Sequence, residues 1–113
     1  MATVQKSDRA TLEPVLTEFR RRVEEMYGAR LRGIMLYGSW SRNEAGPDSD
    51  IDLAVVLSGP VSPGVEIDRM LDLTVELDLK YGVLLSAYPV SEDDYRERRS
   101  PLLLNLRREG VPA

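Results

Sequence analysis

The chain has no cysteine and no histidine in its 113 residues. Without cysteine there are no disulfides, no thiolate metal sites and no thiol nucleophile. Without histidine, Ser-His-Asp and Cys-His catalysis, His-ligated zinc and the most common general base are all excluded. Any chemistry must rest on carboxylates, hydroxyls, lysine or arginine, with an oxygen-preferring cation as the natural helper. Long apolar runs are missing too: none approaches the ~20 residues of a membrane span. The opening "MATVQKSDRATLEP" lacks the apolar stretch of a secretory signal, so a cytoplasmic protein is expected. Basic charge is in deficit, with a net charge of −4, which argues against nucleic acid as a partner. The arginine clusters in "FRRRVEE", "RERRSP" and "LRREG" read as solvated helix faces.

What remains is 42% hydrophobic and 30% charged, an ordinary globular composition of a size expected to form one domain over residues 1–113. No internal repeat or low-complexity segment interrupts it. A first helix is expected from about Leu12 to Tyr27, with Thr11 as N-cap, Pro14 in the first turn and Gly28 as the stop. "LRGIMLYG" from Leu31 reads as a short buried strand ending at Gly38. A short helix fits Trp40 to Ala45, followed by the breaker "GPDS". "DIDLAVVL" is the clearest strand. The segment "LDLTVELDL" alternates like a strand. Read from Val65 as a helix, it offers Ile67, Met70, Leu71, Thr74, Leu77 and Tyr81 as one stripe, with Gly82 as the stop. The scarcity of β-branched residues and the strands on either side favour the helix. "VLLSAYPV" is a third strand, Ser91 caps a polar helix "EDDYRERR", and Ser100-Pro101 opens a last helix ending at Gly110. The leucines of "SPLLLNL" exceed what one helix face can bury; they are either an apolar surface for a partner or, the preferred reading, the closing helix over the sheet. The expected class is α/β (α+β), a small mixed sheet packed by helices.

Two features carry chemistry. Gly38 and Ser39 end a strand and open a helix. Glycine allows a tight turn and a close ligand, while the free N–H groups of a helix start and a serine hydroxyl suit phosphate. Asp50 and Asp52 lie two apart at the start of a strand, which puts both carboxylates on one face. Such a pair repels itself unless a cation or water intervenes, and oxygen ligands of this kind suit Mg²⁺. Together the turn and the acid pair would bring a phosphate cradle and a metal pair to one sheet edge, the equipment of phosphoryl or nucleotidyl transfer.

Gly38-Ser39, Arg42 and Ser49-Asp50-Ile51-Asp52-Leu53 resemble the signature of the DNA polymerase beta-like nucleotidyltransferase superfamily. The short chain looks like its smallest branch, the minimal nucleotidyltransferase (MNT) domain proteins. The resemblance implies the nucleotidyltransferase fold. It implies that Gly38 and Ser39 hold the phosphates of ATP or another nucleoside triphosphate, with Ser49 offering a hydroxyl or N–H nearby. Asp50 and Asp52 become the catalytic Mg²⁺ ligands. Arg42 either adds charge to the phosphate site or packs on the surface, and Trp40 either stacks on a base or packs. The resemblance also implies a partner: MNT proteins are typically paired with a small helical HEPN-domain protein, often as the antitoxin of a toxin–antitoxin pair, and active ones transfer AMP from ATP to it. A homo-oligomer is left open.

One element of the family pattern is missing. Active members usually carry a third carboxylate on a later strand, and "VLLSAYPV" has no acid. Strand parity places Ser86 at that position, with Leu84 next. Either water or a substrate group substitutes, or an acid comes from Glu76, Asp78, Asp93 or Asp94, or the domain binds nucleotide or a partner without turnover.

Overall fold

The computed structural model describes residues 12–40, 50–98 and 100–113, the side chain of Ser39 excepted. In chain order these form α1 (Glu13–Tyr27), a 3-10 turn (Gly28–Arg30), β1 (Leu31–Tyr37) and a second 3-10 turn (Gly38–Trp40). Then come β2 (Ile51–Leu57), α2 (Pro63–Tyr81), β3 (Leu85–Ser91), α3 (Glu92–Glu97), α4 (Pro101–Glu109) and β4 (Val111–Pro112). The sheet order is β3-β2-β1-β4. β1 runs antiparallel to β2 and β4, and β2 runs parallel to β3. A parallel neighbour needs a crossover, and α2 supplies it. The expected mixed sheet packed by helices is thus present. Among the described residues no helix is long and apolar enough to cross a membrane.

Strand parity divides the sheet cleanly. Leu36, Leu53 and Ala87 share one register row, while Tyr37, Asp52 and Ser86 share the next. The first set points to the face covered by α1 and α2, where Phe19, Val23, Leu36, Leu53, Met70 and Leu77 are buried together. The second set points to the opposite face. Here Leu103 and Leu106 of α4 pack on Ala54 and Val90, flanked by Met35, Tyr37 and Tyr88. The closing helix therefore covers the sheet, as the sequence suggests, leaving Leu104 outside at 43% exposure.

The helix ends follow local chemistry. The Ser91 hydroxyl accepts from the Asp94 N–H at 3.0 Å, and the Ser100 hydroxyl from the Leu103 N–H at 3.3 Å. Each satisfies a donor that the first turn cannot. α1 starts one residue later than expected, with Leu12 at its cap and no side-chain cap bond; Thr11 lies outside the described residues.

α2 is a helix, as chosen, but its buried stripe is rotated. Met70, Thr74 and Leu77 are inside, as expected, together with Leu73 and Glu66, whereas Ile67 and Leu71 are 41% and 50% exposed. Glu66 is only 5% exposed and is bound by tertiary partners. The Tyr27 hydroxyl donates to its Oε1 at 2.7 Å, and Arg30 and Arg69 approach its carboxylate at 3.9 and 3.7 Å. Burial, and then the hydrogen bond to Glu66, pushes the Tyr27 hydroxyl well above the usual tyrosine range. Tyr27→Phe would leave a buried carboxylate oxygen short of a donor, so it is expected to cost about 1–3 kcal/mol, read as a fall of several degrees in Tm.

Candidate active site

The site is built where β1 ends and β2 begins. Gly38 has φ +75°, a left-handed conformation that only glycine adopts without strain. A Cβ there would also run into the Asp52 carboxylate, at Oδ2. The Asp52 side chain therefore lies directly over the Gly38 backbone, and the turn and the acidic strand meet as the sequence implies. Gly38→Ala combines positive-φ strain with that collision. It is expected to cost about 1–3 kcal/mol of stability, read as a fall of several degrees in Tm, and to displace Asp52.

Asp52 is half-buried in β2 and Asp50 is exposed, one residue before the strand. Tyr37 of β1 and Ser86 of β3 flank Asp52 in register on the same face. Burial, then the negative charge of Asp52, then Tyr88, push the Tyr37 hydroxyl up to about 12. It stays a neutral hydroxyl at any working pH. Tyr88 follows Ser86 by two and faces the same way. Tyr37, Ser86 and Tyr88, with Ile67 and Leu71 of α2 and Leu102 of α4, bound a cavity of about 310 Å³ beside the Asp52 row.

Ser86 stands opposite Asp52, where parity places it, and Leu84 lies before the strand. None of the suggested replacement acids joins them. Glu76 pairs with Arg22 at 2.9 Å, Asp93 with Arg96 at 3.2 Å and Asp94 with Arg98 at 3.5 Å. Asp78 accepts the Leu85 N–H at 2.7 Å. Among the described residues no group of three or more acids is placed to hold a metal ion. Two carboxylates and a hydroxyl remain as hard oxygen donors. That set fits Mg²⁺, which keeps water and takes phosphate oxygens in place of a full protein cage.

Ser39 is in the turn by its backbone; its side chain, Arg42 and Ser49 lie outside the described residues, as does most of the expected Trp40–Ala45 helix. Trp40 is 7% exposed within the α1 and α2 core, so it packs and does not present a stacking face. Tyr37 and Tyr88 are the site neighbours that sequence reasoning passed over. The signal was parity: both share the alternation of Asp52 and Ser86 once the strands are paired.

Comparisons with known proteins place the chain in a family. The nucleotidyltransferase domain family matches residues 16–100, and the chain belongs to that family. Two Methanocaldococcus jannaschii proteins assigned as protein adenylyltransferases are related to it. MJ0604 is 33% identical over 86 residues, covering 76% of this chain and 80% of that protein. MJ1305 is 32% identical over 90 residues, covering 77% of this chain and 60% of that one. Among solved structures, a toxin–antitoxin crystallised with AMP-PNP matches at TM-score 0.59 and 18% identity, over 84% of this chain and 69% of that one. A Sulfolobus solfataricus protein assigned as a nucleotidyltransferase matches at TM-score 0.57 and 15% identity, over 99% and 89%. These structural likenesses establish the nucleotidyltransferase fold.

Proposed function

We propose that the chain transfers AMP from ATP to a hydroxyl of a partner protein, as the antitoxin-like member of a cytoplasmic pair whose other half is a HEPN-domain protein. The observation that carries this reading is the Asp52 carboxylate seated over the Gly38 backbone. Gly38 and Ser39 would receive the triphosphate at a turn with no Cβ to obstruct it, with Ser49 and Arg42 supporting the same phosphates. Asp50 and Asp52 would hold Mg²⁺, which when bound would neutralise charge on the phosphates. The acceptor oxygen attacks the α-phosphorus, the bond to the bridging oxygen breaks and pyrophosphate leaves. The acceptor proton passes to water, since no third carboxylate stands in the described row. The two relatives assigned as protein adenylyltransferases support a protein as acceptor, and the toxin–antitoxin neighbour supports a paired partner.

A second reading, binding of nucleotide or partner without turnover, is favoured by Ser86 alone. Incubation with ATP labelled at the α-phosphate, Mg²⁺ and the product of the neighbouring gene separates the two. Label on the partner that disappears with EDTA supports transfer. ATP binding by calorimetry without label supports the second reading. Absence of binding at millimolar ATP overturns the nucleotide site itself.

A further inference from the structure

Exposed large apolar side chains are concentrated on α2. Of seven among the described residues, five lie on this helix and a sixth, Leu84, follows its end. Ile67, Leu71, Val75 and Leu79 recur every four residues, with exposures of 41%, 50%, 46% and 82%. That spacing forms a stripe along the helix, beside the face already buried against α1 and the sheet. The stripe has a charge signature. Asp68 and Asp72 follow Ile67 and Leu71, are exposed, and have no cationic partner among the described residues. The cations of α2 are engaged elsewhere: Arg69 lies 3.7 Å from Glu66 and Lys80 lies 2.9 Å from Glu18.

The neighbouring sheet edge offers little to a docking strand. The Leu84 carbonyl accepts from the Ile51 N–H at 2.8 Å, so by alternation the backbone groups of Leu85, Ala87 and Pro89 face outward. The Asp78 carboxylate already takes the Leu85 N–H, and Pro89 has no N–H to give. A partner here must bind through side chains.

We propose that the α2 stripe docks an amphipathic helix of a partner protein whose apolar seam is flanked by lysine or arginine. Charge complementarity selects this occupant. A second copy packed antiparallel would set Asp72 against Glu76 of the same row and offer Asp68 only Lys80, which Glu18 already holds at 2.9 Å, and an anionic lipid surface would be repelled by Asp68 and Asp72. Ile67 and Leu71 also line the cavity beside Tyr37 and Ser86, so the docked helix would lie next to the candidate active site. The docking itself does not depend on nucleotide transfer.

The test uses the full chain without nucleotide and a fluorescent leucine/lysine peptide of about five helical turns, its leucines on one face. A twin carries glutamate for lysine. Saturable, equimolar binding of the lysine peptide is expected, weakened about 10-fold or more in Leu71→Ser/Val75→Ser. Asp68→Asn/Asp72→Asn is expected to weaken it by roughly 3- to 10-fold and to flatten its salt dependence. Leu104→Ser, which removes an exposed leucine on α4, should change nothing. Thermal melts confirm that each variant is folded, and the aspartate pair carries the test if the stripe variant is not. Equal binding to the stripe variant or of the glutamate twin would overturn the proposal, as would a dimer in sedimentation that Leu71→Ser/Val75→Ser dissociates.

Discussion

Asp52→Asn is expected to reduce the proposed AMP transfer by roughly 10²- to 10³-fold while leaving the fold intact. The substitution keeps the size of the side chain, and the backbone of Asp52 is fixed by ladders to β1 and β3 on either side. What changes is one negative charge, half-buried and seated over the Gly38 backbone. A unit charge about 4 Å from another is worth about 4 kcal/mol at an effective dielectric of 20. Loss of most of that from the transition state corresponds to two or three powers of ten in rate. Initial rates of label transfer measure the effect, with Mg²⁺-dependent ATP titration and a thermal melt of the same preparation alongside. A variant that binds ATP weakly and melts near the parent temperature matches the proposed role. A variant with unchanged rate removes Asp52 from the chemistry, and with it the reading of the whole turn.

Much of this site was legible because it depends on short-range rules. Parity narrows the position beside Asp52 to Leu84, Ser86 or Tyr88, and the pairing of β2 with β3 selects Ser86; a glycine followed by serine at a strand end marks the turn whatever the tertiary context. The helix choice for α2 rested on composition, and the crossover between parallel β2 and β3 requires it. The face of α2 was harder to read, because the helix carries two apolar stripes. Periodicity shows both, but only packing against α1 and the sheet decides that Leu73 goes inside and Leu71 stays out. Glu66 was invisible for the same reason: its burial depends on Tyr27, 39 positions away in sequence. β4 escaped because two residues have no period. Val111 and Pro112 become a strand only by pairing with Leu36 and Met35 of β1.

Ser86→Asp should restore what the strand lacks, and is expected to raise the transfer rate about 10-fold or more. Ser86 is exposed and in parallel register with Asp52, and strand neighbours are about 4.8 Å apart. A carboxylate there would complete an oxygen triad with Asp52 and Asp50. Without a cation the new acid and Asp52 would repel each other, so the variant should melt a few degrees below the parent in EDTA and recover in Mg²⁺. Ser86→Asn, similar in size to aspartate but uncharged, should show neither the destabilisation nor the recovery. The coupling between metal and stability is the stronger diagnostic, because it reports the position of the third ligand even before an acceptor is found. If stability responds to Mg²⁺ but the rate does not rise, the acid completes the metal site without limiting the chemistry, and the binding-only reading gains. If neither responds, Ser86 does not face the proposed metal ligands Asp50 and Asp52, and the register row of Tyr37, Asp52 and Ser86 is a feature of the sheet alone.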